Sequence, residues 1–483
     1  MAEQSLKEKT AKGLFWGGVS NGLQQLLNLL FGIFLARLLT PADYGMVGML
    51  TIFSALASVL QEGGFISALA NREKTEHRDY NAVFWFNISM AACLYLVLYL
   101  CAPLIAEFYG KSELTPLARF IFLSFLISSA SVAPRAFLFK HLEAKKNAAI
   151  SFLSLTLSGV VGVTLAANGF AYWGIAIQTI VYTSCITIFS YCYSGWRPSW
   201  NVDFAPVREM IGYSSKLIVT NIFNIVNANI FSVLLGKFYS EKEVGYFNQA
   251  NKWNMMGSNT INGMISSVAQ HVLASISGNR ELQQKALRKM LRFTAFVSFP
   301  AMFGLSLTAP ELITLAITDK WLQSAYIMQI LCVGGAFLPV SNLFSQLLLS
   351  RGYSSVYMWC TVALSLLQLM TAYVAYPYGL QVMLYAFVAV NICWVAVWLY
   401  FVRREVGLTY LAFIKDIAPY MLLSAVLSIS AHYATLGIEH DALRMIAKIA
   451  GVGGLYILSL WLMRSVILRE SIAFFCKKKS KLG

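Results

Sequence analysis

The chain has 483 residues, of which 58% are hydrophobic and 12% charged, with a formal net charge of +15 and a mean hydropathy of +0.63. A soluble chain of this size carries roughly 25% charged residues, so apolar runs of about 20 residues along nearly the whole length exclude a soluble globular protein and mark a polytopic membrane protein. The cations are scattered over many short loops, which excludes a nucleic-acid-binding face.

About fourteen apolar segments follow one another. They lie near 14–38, 46–69, 82–106, 117–138, 149–167, 171–193, 216–236, 246–270, 292–317, 325–349, 356–376, 380–402, 417–436 and 443–464. The first carries Asn21, Gln24, Gln25 and Asn28 at i, i+3, i+4 and i+7, one face of a helix. The second holds Gln61 and Glu62, the latter one of very few acids at membrane depth. In the fourth, Arg135 follows Pro134 near one end and Arg119 sits near the other. The seventh carries Asn221, Asn224, Asn227 and Asn229, a looser polar sector. The eighth is the most polar, with Asn248, Gln249, Asn251, Lys252, Asn254, Asn259 and Asn262. No helix facing lipid on all sides tolerates that load. Between the sixth and seventh, residues 194–215 form one of the longest loops, where Phe204, Val207, Met210 and Ile211 suit one side of a surface helix.

The chain also repeats itself at an offset of 200 residues. Ser20-Asn21, Leu35-Ala36-Arg37, Thr40 and Gly45 match Thr220-Asn221, Leu235-Gly236-Lys237, Ser240 and Gly245. A membrane protein built from two similar halves suits transport through a site at their interface. Gly45 and Gly245 end the turns that follow this motif, where a positive φ is often needed. Arg37 and Lys237 stand near helix ends, placed to reach the headgroups.

With the N-terminus in the cytoplasm, the inside loops collect most Lys and Arg, from Lys7, Lys9 and Lys12 to Lys477, Lys478, Lys479 and Lys481. The outside loops hold few, chiefly Lys111, Lys237, Lys242 and Lys320. This asymmetry predicts both termini in the cytoplasm and contact with anionic lipid. The polar, charged N-terminus Met1 to Lys12 has no secretory signal pattern.

The eight cysteines include no close CxxC pair, and the five histidines are dispersed. Neither pattern predicts disulfides, a metal site or a cofactor. Gly110-Lys111-Ser112 resembles the end of a P-loop, but Ile105 stands where the upstream glycine belongs. Nothing points to hydrolysis or direct use of ATP.

Amides in hydrocarbon are costly, so the polar faces meet each other or water. Hydrogen bonding between helices and a hydrated central cavity both satisfy that need. Recurrence in both copies of the repeat favours the cavity, lined by Asn21, Gln24, Gln25, Asn28, Gln61, Glu62, Asn221, Asn224, Asn248, Gln249, Asn251 and Asn259. Lys252, with Arg37 and Arg135 as further candidates, supplies cations for an anionic head, and Glu62 is a candidate for a coupling ion. An amide-rich, cationic surface suits a large substrate with many hydroxyls and a diphosphate.

At Lys12-Gly13-Leu14-Phe15-Trp16 and Leu35-Ala36-Arg37-Leu38-Leu39-Thr40-Pro41-Ala42-Asp43-Tyr44-Gly45 the chain resembles the polysaccharide transporter family. That branch contains the Wzx O-antigen flippases and colanic-acid-type exporters of the multidrug/oligosaccharidyl-lipid/polysaccharide superfamily. The resemblance implies an all-α polytopic fold: two pseudo-symmetric six-helix lobes forming a V-shaped cleft, plus two extra C-terminal helices. The lobes would be residues 1–200 and 201–402, with the extra helices and a basic tail in 403–483. It further implies alternating-access transfer of undecaprenyl-diphosphate-linked oligosaccharides to the periplasmic leaflet of a bacterial inner membrane. The implied partners are the lipid-linked substrate, membrane lipids, a coupling ion (H+ or Na+) and the polysaccharide polymerase machinery. Three rivals predict other features. A multidrug or metabolite antiporter of the same fold needs deep acids, which are scarce. An enzyme acting on the lipid carrier needs a large outside loop, which is missing. A non-transporting scaffold would lose the polar faces.

Overall fold

The computed structural model describes residues 21–62, 69, 72, 75–141, 143–200, 203–276, 278–465 and 467–469, with the side chains at 61, 62, 208–220, 267, 268, 270 and 271 outside the description. The described residues are helical almost throughout. In chain order the helices are α1 (21–38), α2 (Pro41–Glu62), α3 (His77–Tyr109), α4 (Leu114–Ser129), α5 (Val132–Lys140), α6 (Ala144–Ala167), α7 (Ala171–Ser194), α8 (Ala205–Phe238) and α9 (Glu241–Ser275). There follow α10 (Arg280–Leu307), α11 (Ala309–Ile317), α12 (Leu322–Gly335), α13 (Leu338–Ser350), α14 (Ser354–Ala375), α15 (Leu380–Val406), α16 (Tyr410–Ala434) and α17 (Asp441–Leu462). Among the described residues ten spans are long and apolar enough to cross a membrane, or eleven if α4 and α5 form one.

Three expected segments differ in detail. The fourth is broken, with α4 and α5 meeting at 43°. The ninth ends at Leu307, and α11 starts a new helix after Thr308. The surface helix expected after residue 203 is not a separate element: α8 runs unbroken from Ala205 to Phe238 and buries Val207 in the core around Tyr80 and Trp196, while the side chains of Met210 and Ile211 lie outside the described residues. The loop ahead of α8 is pinned to the start of α3. Trp85 Nε1 donates to the Ser199 carbonyl at 2.8 Å, and the Ser199 N–H donates to Asn81 Oδ1 at 2.9 Å. The Ala205 N–H and Arg78 hold the Asp203 carboxyl below the usual carboxylate range.

Prolines inside spans remove a helix donor and free the carbonyl four residues earlier. Each freed carbonyl costs several kcal/mol in hydrocarbon unless something else donates to it. Here a neighbouring helix does so in three cases. Pro103 frees the Tyr99 carbonyl, which accepts from Arg119 Nε at 3.4 Å while the guanidinium lies 4.1 Å over the Tyr99 ring. Pro300 frees the Phe296 carbonyl, which accepts from the Tyr456 hydroxyl at 3.0 Å. Pro339 frees the Gly335 carbonyl, which accepts from Ser258 Oγ at 3.3 Å.

The chain divides into two compact units, Met1–Gly245 and Tyr246–Gly483. In the first, α1 packs on α6, where Phe31 occupies the space a side chain on Gly159 would need. Leu35 and Leu39 pack with Ala166. In the second, α16 and α17 pack on α10 and α11. Arg288 grips Asp416 with two bonds of 2.7 and 3.0 Å, and Arg292 adds a third at 3.3 Å. Lys448 Nζ lies 2.5 Å from Glu311 Oε1 and donates to the Leu307 carbonyl at 3.1 Å, with both side chains at most 4% exposed.

The repeat motif has a local structural meaning. Thr40 caps α2: its N–H and hydroxyl both donate to Asp43, and the Asp43 N–H returns to Thr40 Oγ1. Ser240 stands in the same place before α9, accepting from the Glu243 N–H at 3.4 Å. Leu35 and Leu235 are buried, Ala36 and Gly236 are buried small residues, and Arg37 and Lys237 are exposed. The glycines depart from expectation. Neither Gly45 nor Gly245 has a positive φ; both lie within the first turns of helices. They are small because backbone approaches them. A side chain on Gly45 would overlap the Glu241 carbonyl, and one on Gly245 would overlap the Pro41 carbonyl.

Candidate functional site

The helix at 21–38 exposes two faces of opposite chemistry. Asn21, Gln25 and Asn28 are exposed on one side, with Gln24 half-buried beside them. Leu26, Leu30 and Phe34 are exposed on the other. The leucine side suits hydrocarbon, and the amide side suits water. Gly32, Leu35 and Ala36 continue the amide side toward the α2 end of the helix, and there all three are buried. One helix face is therefore packed beside the repeat motif and open seven to fourteen residues earlier.

On α9 the exposed positions Lys252, Asn259 and Gly263 lie at i, i+7 and i+11, a single stripe. Asn248 and Asn251 are half-buried, whereas Gln249 is buried. Asn254 is buried too, with its Oδ1 set against Gly335 in the space a side chain there would fill. On α8, Asn221 is exposed and Asn224 half-buried, while Asn229 Nδ2 bonds back to the Ile225 carbonyl at 2.9 Å. Arg135 is the exposed cation on α5, whose Val132, Ala133, Pro134, Ala136 and Leu138 are buried. Arg37 is exposed at the end of α1. The side chains of Gln61 and Glu62 lie outside the described residues, as does the stretch Lys12-Gly13-Leu14-Phe15-Trp16.

Several further positions belong to these surfaces or to buried pairs. Thr260 and Gly263 extend the exposed surface around Lys252, and helical spacing from Lys252 carries that signal. Glu311, Asp416 and Lys448 are charges inside apolar segments, a signal present in the sequence, but they face partners rather than an open surface. The seven described cysteines are free, and no cluster of metal-ligating side chains occurs among the described residues.

The lipopolysaccharide biosynthesis protein WzxC of Escherichia coli (strain K12) is 24% identical over 353 residues, 72% of this chain and 71% of that protein. The teichuronic acid biosynthesis protein TuaB of Bacillus subtilis (strain 168) is 22% identical over 92% of this chain and 93% of its own. The succinoglycan biosynthesis transport protein ExoT of Rhizobium meliloti (strain 1021) is 23% identical over 67% of this chain and 66% of its own. Among solved structures, the lipid II flippase MurJ in an inward closed conformation superposes with a TM-score of 0.78 at 16% identity, covering 93% of this chain and 99% of that one. An inward-facing multidrug resistance MATE family transporter of the MOP superfamily superposes with a TM-score of 0.64 at 18% identity, covering 81% and 96%. Both share the fold of this multi-pass membrane protein. The model of the polysaccharide biosynthesis protein family matches residues 34–326, and the chain belongs to that family.

Proposed function

We propose that the chain translocates lipid-linked oligosaccharide repeat units, carried on undecaprenyl diphosphate, from the cytoplasmic to the periplasmic leaflet for surface polysaccharide assembly. The observation that carries this reading is the amide side of α1, exposed at Asn21, Gln25 and Asn28 and buried at Leu35 and Ala36. Such a surface offers donors and acceptors to sugar hydroxyls. Lys252 and Asn259, on one exposed stripe of α9, add a cation and an amide, and Lys252 would hold the diphosphate. The relatives named for lipopolysaccharide, teichuronic acid and succinoglycan biosynthesis, and the fold shared with a lipid II flippase, support the same task.

In this reading the protein sits in the inner membrane with both termini in the cytoplasm, an orientation that the cation asymmetry supports. The open end of the α1 amide side then faces the cytoplasm, where the substrate is made. Repeat-related lobes at 1–200 and 201–402 would alternate access, with 403–483 as an addition to one of them. A proton or sodium ion at Glu62, and handover to polymerase machinery, complete the proposal.

Deleting the gene and measuring lipid-linked glycans by mass spectrometry tests it. Intact undecaprenyl-diphosphate repeat units should accumulate while surface glycan is lost, and wild type but not Lys252→Ala should restore export. Unchanged lipid intermediates and surface glycan, with greater sensitivity to small toxic compounds, would replace this reading with that of a multidrug antiporter.

A further inference from the structure

Gly45 and Gly245 are equivalent positions of the repeat, and each lies against the first residue of the other's helix. Gly45 meets the carbonyl of Glu241, and Gly245 meets the carbonyl of Pro41. Pro41 and Glu241 are themselves repeat-equivalent, so the two helix starts cross in a reciprocal, pseudo-twofold contact. No side chain separates the backbones there. The surrounding bonds also join the first copy of the repeat to the second. Lys111 Nζ lies 3.1 Å from Glu241 Oε2. Lys237 Nζ donates to the Phe108 carbonyl at 2.7 Å and lies 4.6 Å from the Phe108 ring centroid. The Tyr109 hydroxyl donates to the Met49 carbonyl at 3.2 Å, and Gly236 admits the Tyr109 ring and Met49 side chain together. All of these residues belong to the unit Met1–Gly245.

We propose that this glycine–glycine crossing is the seal that closes the substrate path on the periplasmic side and must separate to release cargo. The proposal rests on the flippase reading above and on its membrane orientation. Two features separate a seal from a permanent joint. The first is strength: the Lys111–Glu241 pair is partly exposed, and backbone contacts of the Cα–H···O kind are individually weak. Such contacts can form and break within a transport cycle, whereas the buried Lys448–Glu311 pair cannot be separated without leaving an unpaired buried charge. The second is position. The crossing follows the end of α1 at which Leu35 and Leu39 pack on Ala166 of α6, and the amides Asn28, Gln25 and Asn21 are exposed toward the opposite end. A path open at one end and closed at this one needs this end to open if anything is to pass.

A side chain at Gly45 or Gly245 prevents closure without touching the amides, so it should shift the population toward a state open to the periplasm. The reporter is a cysteine at Asn28 in a full-length, otherwise cysteine-free chain, treated in intact cells with a membrane-impermeant methanethiosulfonate. With Gly45 intact, labelling should be slow. Gly45→Val should speed it about tenfold, the sign of a shifted population. Gly451→Val, at a glycine with open space around it, should leave the rate unchanged. Equal labelling rates with Gly45 and with Gly45→Val, at equal protein in the membrane, would overturn the proposal. If Gly45→Val does not reach the membrane, a reducible bis-thiosulfonate bridge between Lys111→Cys and Glu241→Cys decides. Glycan export should stop on bridging and resume on reduction; undiminished export by the bridged protein overturns the seal. The labelling difference needs no substrate, so unchanged lipid-linked glycans in the deletion strain would remove the flippase reading and leave the labelling result standing.

Discussion

The amides of α1 and those of α9 look alike in sequence and meet opposite surroundings. On α1 the cluster lies on one side and is mostly exposed: Asn21, Gln25 and Asn28 face open space. On α9 the cluster is split around the helix. Lys252 and Asn259 are exposed, whereas Gln249 and Asn254 are buried. The difference follows from angle. Residues at i, i+4 and i+7 share a face, but Asn254 is two residues from Lys252 and points elsewhere. Asn254 and Ser258 fall one turn apart and pack into the break between α12 and α13, where Pro339 has freed a carbonyl. An amide in a membrane helix thus serves either as lining or as packing, and the neighbouring backbone decides which.

Substitutions sharpen that contrast. The largest loss of stability should come from the polar groups that are packed hardest. Lys448→Met leaves the buried Glu311 carboxylate with the longer contact to Arg444 at 3.8 Å, and breaking one partner of a buried pair costs about 3–5 kcal/mol. In detergent its thermal unfolding should fall well below wild type, and the double variant Lys448→Met/Glu311→Leu should recover much of the loss. An unchanged melting temperature for Lys448→Met alone would mean that the pair is not buried.

Gly335→Ala comes next. A methyl there would overlap Asn254 Oδ1 and crowd Met302 and Ser258. Overpacking of this kind costs about 1–3 kcal/mol. Thermal unfolding should show the cost, and adding Asn254→Gly should relieve part of it. Failure of that rescue would separate the glycine from the amide.

A smaller effect is expected at the cap of α2. Thr40→Ala removes the hydroxyl that exchanges bonds with Asp43, at about 1 kcal/mol for a lost N-cap. Ser240→Ala should cost less, since the Glu243 N–H bond to Ser240 is longer at 3.4 Å. Equal losses at the two caps would erase the difference between the copies.

The smallest change in stability is expected at the exposed amides. Gln25→Ala and Asn28→Ala should alter stability by less than about 0.5 kcal/mol, the usual range for surface positions. Transport of lipid-linked glycan should nevertheless fall. Gly335→Ala should show the reverse pattern, losing stability in proportion to any loss of export. A large fall in stability at Asn28→Ala would move the α1 amides into the packing class.

Much of this is legible in the chain itself. Low charge and apolar runs announce a polytopic helical protein, and the 200-residue repeat marks Thr40, Gly45, Ser240 and Gly245 as positions with a shared role. The spacing of Asn21, Gln24, Gln25 and Asn28 is enough to put them on one face. At the glycines the chain suggests one role and the fold gives them another. A glycine after a cap suggests a turn with positive φ, yet the helices had already begun, and the requirement came from another helix 200 residues away. Likewise, an apolar sequence with one proline reads as a kinked span, and nothing local names the residue that answers the freed carbonyl.

Composition and periodicity by themselves determined the class of protein, the helical content and which side of α1 is polar, because these depend on the solvent around the chain and on the geometry of a single helix. Only tertiary structure decided which amides are buried, which helix starts cross at Gly45 and Gly245, and which side chains take the carbonyls freed by Pro103, Pro300 and Pro339. Those outcomes depend on partners from 20 residues away, at Arg119 and Tyr99, to 160 or more, at Tyr456 and Phe296. Within the membrane every such partner matters, since an unanswered polar group has no water to turn to.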